Sequence, residues 1–335
     1  FYRYEDIIKK EDDAGYDKTA FEKMLEIKGD SDHTKLIDML TDLNDYSIGI
    51  EDVLKEHFDE ENIVYWMAFQ ILMGNVDTQN RNVYLYSPLN SDIWYFIAWD
   101  NDGCLMRSEY ELKNFSDQGS WEKGISNYWG NVLFQRCLKS RSFREKLNDA
   151  ILELREYLNK DMLISKIESY KNVLKPYLYS MPDAEYEPLT SEQYDQIVAS
   201  LPDEIEKNYK LYLESLETPM PFYIGVPTID GNKLKFNWDV SYDLDAEDIT
   251  YSVEVARDYL FQDVIYHNTT LTVPETEMDL PEAGQYFVRI RATNTSGKTQ
   301  DAFDYYVTDE GKHYGMKCFY ITEDSTVEED NYEEG

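Results

Sequence analysis

The pattern of apolar and polar positions divides the chain into a helical part and a strand-rich part. Over residues 1–216 the apolar positions recur mainly at helical spacing. From about residue 228 they alternate with polar residues in short runs separated by turn signals. We therefore predict two domains, 1–216 and 228–320. A proline-rich linker over 217–227 joins them, and an acidic tail follows over 321–335.

The helical part is predicted to contain one helix with almost no polar face. This helix begins after Asp59, an N-cap residue, and ends at Gly74. Because it is apolar all round, we expect it to be the buried centre of its domain. The other predicted helices cover residues 17–27, 34–43, 131–139, 143–158, 164–178 and 191–214. The last of them is predicted to break near Pro202, and residues 1–4 to form a short strand.

The strand-rich part predicts an all-β domain. Its expected strands cover residues 233–238, 250–256, 264–267, 270–273, 285–292 and 302–307. Their spacing of roughly 8 to 12 residues is typical of a β-sandwich. The acidic tail is poor in aliphatic residues and predicts no folded element.

Polar residues concentrate at one end of a predicted β-hairpin with strands 83–86 and 93–99. Asp77 and Asn82 precede the first strand, and Asp100 and Asp102 follow the second. Because antiparallel pairing brings these two ends together, we expect the four side chains to converge. Carboxylate and amide oxygens, with no His or Cys among them, are typical of a Mg²⁺, Mn²⁺ or Ca²⁺ site rather than a zinc site.

The charge balance excludes two classes of partner. The 335 residues include 67 acidic and 32 basic ones, which gives a formal net charge of -35. Charge of this sign repels nucleic acid and anionic lipid, so we expect neither as a partner. No apolar run is long enough to span a membrane, and the first residues do not resemble a signal peptide. Three scattered cysteines fit a cytoplasmic protein or a bacterial secreted one.

Three stretches resemble the CotH (spore coat protein H) kinase family, namely GNVDTQNRNVYLY, IWYFIAWDNDG and NVLFQRCLKSRSFREKL. The resemblance covers about residues 1–215. It implies a multidomain α+β protein whose first part is the mostly helical C-lobe of an atypical kinase with a central β-hairpin. Such kinases transfer phosphate from ATP, with Mg²⁺ or Mn²⁺, to a hydroxyl acceptor. The resemblance further implies a protein or surface-polymer substrate and a location outside a bacterial cell or on its surface, the spore coat included.

The resemblance also implies a role for each candidate residue. Asp77 would be the base or orienting group for the substrate hydroxyl, and Asn82, Asp100 and Asp102 would be the metal-binding residues. Asn82 follows Asp77 by five positions, the spacing of kinase catalytic loops. A glycine-rich nucleotide loop and a Val-Ala-Ile-Lys-type strand do not occur in the sequence. We therefore expect the nucleotide-binding lobe upstream of Phe1, and the isolated chain to be inactive.

A second resemblance concerns the strand-rich part. Trp238 in FNWDV and the stretch GQYFVRIRATNTSG are similar to a fibronectin type III module. This implies an immunoglobulin-like sandwich over 228–320 with Trp238 and Tyr286 as core anchors. Such modules say little about chemistry.

Three alternatives stay open at the level of the sequence. The Asp and Asn residues could cap ordinary polar loops. A calcium loop is a second alternative, because Asp100, Asp102, Gly103 and Glu109 match four positions of an EF-hand, although Ala98 occupies its first position. The third is a non-catalytic surface or spore-coat scaffold with a kinase-like core. Cys104 is predicted to be a buried apolar filler rather than a reactive thiol.

Overall fold

The computed structural model describes residues 34–79, 82–107 and 118–329. The chain divides into two compact units, one of residues 1–105 and 128–205 and the other of residues 106–127 and 206–335. Helices and antiparallel sheets both occur, so the predicted mixed α+β class is confirmed. The strand predicted over 1–4 and the helix predicted over 17–27 lie outside the described residues.

The first unit is mostly helical and contains the β-hairpin. Its helices are α1 (Thr34–Asn44), α2 (Ile50–His57), α3 (Glu60–Met73), α4 (Val132–Lys139), α5 (Arg141–Tyr157), α6 (Lys160–Leu178) and α7 (Ser191–Ser200). The hairpin consists of β1 (Tyr84–Tyr86) and β2 (Tyr95–Ile97). After a 3-10 turn at Leu201–Asp203, α8 covers Glu204–Glu217, so the break predicted near Pro202 is confirmed.

Helix α3 is the buried centre of this unit, as its sequence predicts. The Asp59 carboxylate accepts a hydrogen bond from the Asn62 backbone N–H at 2.9 Å, and Gly74 ends the helix in the left-handed conformation. Trp66 of α3 stacks on Phe134 with ring centroids 5.7 Å apart, and Phe96 of the hairpin lies 4.8 Å from the Trp66 ring. The hairpin is therefore anchored directly on the core helix.

The hairpin is shorter than the sequence predicts, and helix α2 is missed by the sequence pattern. Trp94 forms a bridge with Phe58 just after α2, and its backbone N–H donates to the His57 carbonyl at 2.7 Å. The Asp59 N–H in turn donates to the Trp94 carbonyl. These bonds take Trp94 out of the ladder, because its backbone N–H and carbonyl are already paired with His57 and Asp59.

The second unit contains two antiparallel sheets and a further hairpin. One sheet has the order β13-β12-β8-β5-β6 with β9 on β8, the other has the order β3-β4-β7, and β10 pairs with β11. The strands are β3 (Thr228–Asp230), β4 (Lys233–Asn237), β5 (Ile249–Ala256), β6 (Val264–Leu271), β7 (Glu275–Asp279), β8 (Gly284–Asn294), β9 (Thr299–Asp301), β10 (Tyr305–Thr308), β11 (Gly311–Tyr314), β12 (Met316–Ile321) and β13 (Val327–Glu329). Both sheets contribute to one core, in which Trp238 and Tyr286 are buried, as predicted.

Two segments predicted to lie outside folded elements belong to this core or its sheet. In the predicted linker, Phe222 and Ile224 are each 2% exposed, and Ile224 bridges to Trp238. In the predicted acidic tail, β13 pairs with β12. The first difference arises because the apolar residues between the linker prolines gain free energy from burial. That gain does not require the regular spacing of a helix or a strand, so the sequence pattern does not reveal it.

Two strand predictions are also corrected. The strands predicted over 264–267 and 270–273 are one strand, β6, which ends at Leu271 and pairs with β5 through a register shift. Residues 302–307 are interrupted, because the Phe303 N–H donates to the Phe222 carbonyl and the Asp304 carboxylate accepts from the Ile224 N–H. β9 therefore ends before this point and β10 begins after it.

Candidate active site

Asn82 and Asp100 lie at the same end of the hairpin, the end that leads into the two polar loops. Tyr84 is paired with Ile97 at this end, so Asn82 enters β1 and Asp100 leaves β2 within three residues of the same pair. Both residues have left-handed backbone, with φ of 53° for Asn82 and 51° for Asp100. Asn and Asp tolerate this conformation better than other non-glycine residues. The residue types at these two positions therefore fit the sharp turns that the chain makes here.

Asp77 lies in a 3-10 turn, Val76–Gln79, that follows the end of α3. Its neighbour Thr78 is fully buried, and the Thr78 hydroxyl contacts both the Asn75 carbonyl at 3.1 Å and the Tyr128 hydroxyl at 3.0 Å. The Asn131 amide donates to the Gln79 carbonyl. These hydrogen bonds hold the turn in place on its buried side, whereas the Asp77 side chain is exposed.

The acids Asp100 and Asp102 lie in direct contact, and Asp77 lies within electrostatic range. A hydrogen bond with Asp102 and the charge of Asp102 raise the pKa of Asp100, and the charge of Asp77 adds to the rise. The structure therefore brings together three of the four residues that the sequence predicts. Asn82 shares this end of the hairpin through register alone, since in the described part of the chain no hydrogen bond joins it to the three acids.

The segment from Asp100 to Leu105 forms a tight turn against the end of α3. The Cys104 N–H donates to the Asn101 carbonyl, and the Leu105 N–H donates to the Met73 carbonyl at 2.8 Å. A Cβ built on Gly103 would lie 3.1 Å from Asn75 Oδ1 and 3.8 Å from Asp77 Oδ2. Glycine at this position therefore allows the turn to approach the Asp77 loop closely.

Two buried amides beneath this turn are missed by the sequence reasoning. Gln70 and Asn75 are 0% and 1% exposed, and the side-chain nitrogen of each lies within 3.4 Å of Asn101 Oδ1. Among the described residues Gln70 Oε1 and Asn75 Oδ1 have no hydrogen-bond partner. The sequence does carry a signal, because Gln70 is an amide within an almost wholly apolar helix.

Cys104 is half-buried rather than buried as predicted, but its thiol is not activated for nucleophilic attack. Burial and the charge of Asp102 raise the pKa of the Cys104 thiol to about 12, and hydrogen bonding from Asn75 opposes the rise only in part. A thiol with such a pKa is almost entirely protonated at neutral pH and is a poor nucleophile.

The donor set can be compared with what a divalent cation needs. Oxygens of Asp77, Asp100 and Asp102 and of the Asn82 amide are the hard ligands that Mg²⁺ or Mn²⁺ prefers. Within residues 34–79, 82–107 and 118–329, however, no group of three or more His, Cys, Asp or Glu side chains is arranged to hold a metal. A cation at this site would therefore need amide or water oxygens to complete its coordination. Asn82, Asp100 and Asp102 stay predicted metal residues.

Comparison with solved structures gives only weak similarities. The twitchin kinase region from C. elegans (Fn31-NL-kin-CRD-Ig26) is 16% identical, with 28% of this chain and 20% of that chain covered and a TM-score of 0.22. Domains 1–6 of the surface layer protein SbsC are 11% identical, with 94% and 42% covered and a TM-score of 0.16. The chain thus spans less than half the length of either, and at these TM-scores neither similarity carries an argument. Comparison with curated proteins finds no match.

Comparison with family models is decisive for the first part of the chain. The model described as CotH kinase protein matches residues 1–212, well over half of the 335 residues. The match includes the whole candidate site, from Gln70 to Leu105. The chain therefore belongs to the CotH kinase family.

Proposed function

We propose that this chain carries the catalytic-loop and metal-binding half of a phosphotransferase. Its reaction would transfer the terminal phosphoryl group of ATP to a hydroxyl of a protein or surface-polymer acceptor. The observation that supports this most directly is the convergence of Asp77 with the Asp100–Asp102 pair at one end of the hairpin. Like charges held together on an exposed surface are what a bound cation would stabilise.

The four candidate residues have two different roles in the proposed reaction, proton transfer and cation binding. Asp77, exposed on a turn that buried neighbours hold in place, accepts the proton of the acceptor hydroxyl as its oxygen forms the new bond to phosphorus. Asn82, Asp100 and Asp102 would hold Mg²⁺ or Mn²⁺. When bound, the cation neutralises charge on the transferred group and on the departing ADP. Left-handed backbone at Asn82 and Asp100 is the kind of conformation that accumulates at functional sites.

The setting of this activity is also part of the proposal. We infer a bacterial protein that acts outside the cell or at its surface, the spore coat included, and a fibronectin type III-like module over residues 228–320. Two antiparallel sheets with one core and a buried Trp238 support that module. In the described residues no helix is long and apolar enough to cross a membrane.

A thermal-shift experiment on the 335-residue chain tests the metal step. At a Mg²⁺ or Mn²⁺ concentration of about 100 times its Kd, binding adds roughly 2.7 kcal/mol. For a unit of this size that should raise the melting temperature by about 5–10 °C. Asp100→Asn should abolish the rise, whereas Asp77→Asn should preserve it but eliminate phosphotransfer in the full-length protein. Asp92→Asn is the matched control, because Asp92 is an exposed acid at the opposite end of the same hairpin.

Other outcomes separate the alternatives. A shift with Ca²⁺ but not with Mg²⁺ or Mn²⁺ would indicate a structural calcium loop. If no cation shifts the melting temperature and full-length Asp77→Asn and Asp100→Asn proteins retain normal partner binding, the non-catalytic scaffold is the better description. Phosphotransfer that survives both substitutions would refute the assigned roles.

A further inference from the structure

Asn75 occupies the junction between the two loops of the candidate site. It follows Gly74, the residue that ends α3 in the left-handed conformation, and stands two positions before Asp77. Its backbone carbonyl accepts a hydrogen bond from the buried Thr78 hydroxyl, and its N–H donates to the Gln70 carbonyl. The main chain of Asn75 therefore belongs to the structure that holds the Asp77 turn.

The side chain of Asn75 belongs to the other loop. Its Nδ2 donates a hydrogen bond to Asn101 Oδ1 at 3.4 Å. Its Oδ1 lies on the other flank, 3.1 Å from the position of a Cβ on Gly103. One side chain thus contacts the turn from Asn101 to Cys104, which Asp102 shares.

The burial of the Asn75 side chain lowers the stability of the folded protein, because one of its polar atoms has no partner among the described residues. Asn75 is 1% exposed, and its Oδ1 has no hydrogen-bond partner among the described residues. An unpaired buried amide oxygen is destabilising, and an apolar residue of similar size would avoid that loss. Gln70, one helical turn away, repeats the pattern with its own amide on Asn101 and its own unpaired oxygen. The two amides therefore form a polar support beneath the acidic turn within an otherwise apolar helix end.

We propose that Asn75 is a positioning residue, which fixes the Asp100–Asp102 pair relative to Asp77 by tying the turn at 101–104 to the turn at 76–79. Its effect on the metal rests on the proposed phosphotransferase function, whereas the tie between the loops does not. A residue that orients ligands from behind commonly changes metal affinity by about 10–100-fold when it is replaced. Asn75, which is 1% exposed, would act from behind the acidic turn through its hydrogen bond to Asn101.

Two measurements on the 335-residue chain test this role. The first is hydrogen exchange at the Cys104 and Leu105 amides, which donate within the turn and to the end of α3. Asn75→Ala should speed their exchange by about tenfold, since the bonds it removes are worth about 1 kcal/mol each. The second is Mn²⁺ affinity, followed by the electron paramagnetic resonance signal of free Mn²⁺, which Asn75→Ala should weaken 10–100-fold.

Two further variants sharpen the comparison. Asn101→Ala removes the amide oxygen that both Asn75 and Gln70 contact, and should speed exchange in the same turn. Asn90→Ala, an exposed substitution at the far tip of the hairpin, should change neither quantity. A general loss of stability would instead speed exchange throughout the unit, including the amides of α5, and would leave the Mn²⁺ affinity of the folded protein unchanged.

The outcomes distinguish this inference from the proposed function. Unchanged exchange at Cys104 and Leu105 in Asn75→Ala overturns the positioning role whatever the metal does. If the wild-type chain binds Mn²⁺ and Asn75→Ala binds it equally well, the effect on the metal is overturned and the proposed function stands. If the wild-type chain binds no Mn²⁺, the metal step of the proposed function fails, and faster exchange in Asn75→Ala still supports the tie between the loops.

Discussion

Replacement of Trp121 should destabilise the β-rich unit, although Trp121 lies within the part of the chain that matches the kinase family. Its ring packs edge-to-face on Phe303 and Tyr314, with centroids 5.0 and 6.0 Å away. The preceding residue, Ser120, accepts a hydrogen bond from the Gln300 amide at 2.8 Å. The segment at 118–127 is therefore part of the packing of the second unit.

The expected size of the effect follows from burial. Trp121 is 6% exposed, and truncation of a buried Trp to Ala costs about 3–5 kcal/mol. For a unit of about 150 residues each kcal/mol lowers the melting temperature by about 2–4 °C, so Trp121→Ala should lower it by about 6–20 °C. Trp121→Phe should cost only about 1–2 kcal/mol. It keeps an aromatic ring and removes an indole N–H that has no acceptor among the described residues.

Differential scanning calorimetry of the 335-residue chain measures both variants. Tyr157→Ala is the matched control, because Tyr157 is a large aromatic residue that is 72% exposed; its loss should change stability by less than about 0.5 kcal/mol. A double-mutant cycle of Trp121→Leu with Phe303→Leu, each of which removes the ring-on-ring contact, should give a coupling of about 0.5–1.5 kcal/mol. A loss below 1 kcal/mol for Trp121→Ala, or equal losses for Trp121→Ala and Trp121→Phe, would contradict this account of the packing.

Three further predictions concern single positions. Thr78→Val should cost about 1–3 kcal/mol in urea unfolding, because it removes the hydrogen bond between the buried Thr78 and Tyr128 hydroxyls; an equal loss when Tyr128 is already Phe would contradict it. Gly124→Ala should destabilise far more than Gly231→Ala. Both glycines have positive φ, but only at Gly124 would a Cβ collide with neighbouring atoms, as near as 2.1 Å; equal losses of melting temperature would refute this. Burial raises the pKa of Asp304, so the folded state takes up this proton before the unfolded state does. The stability that protonation contributes is present at low pH and is lost as the pH rises through the raised pKa. The melting temperature of the wild type relative to Asp304→Asn should therefore increase as the pH falls from 7 toward 4, and a flat or opposite trend would contradict this.

Features that depend on neighbours in the chain were predictable from the sequence. Asp59 and Gly74 mark the ends of α3 through local hydrogen bonds and local backbone geometry. The site follows the same logic, because the hairpin needs only two adjacent strands to bring Asp77 and Asp100 to one end. The convergence of these acids is thus encoded within about 30 residues.

Features that depend on distant partners were not predictable. β13 contains a single aliphatic residue, Val327, and is a strand only because β12 offers it a free edge. Phe222 and Ile224 belong to the core only because the sheets of the second unit cover them, and the sequence around them resembles a linker. The role of the Asn75 amide could not be predicted either, because Asn75 approaches Asn101 and Gly103 only when the two loops are folded. Propensity and period carry no information on such long-range contacts.

The acidic turn differs from an ordinary polar loop in the sign of its effect on stability. An acid that caps a helix stabilises it, as Asp59 does by accepting the Asn62 N–H, and Asp59→Ala should cost about 0.5–2 kcal/mol. Asp100 and Asp102 instead raise the energy of each other, because two carboxylates in contact cannot both ionise without repulsion. Replacing Asp102 by Asn should therefore raise the melting temperature of the metal-free chain at neutral pH. A fall in melting temperature for Asp102→Asn, comparable with that for Asp59→Ala, would instead assign the turn to simple capping.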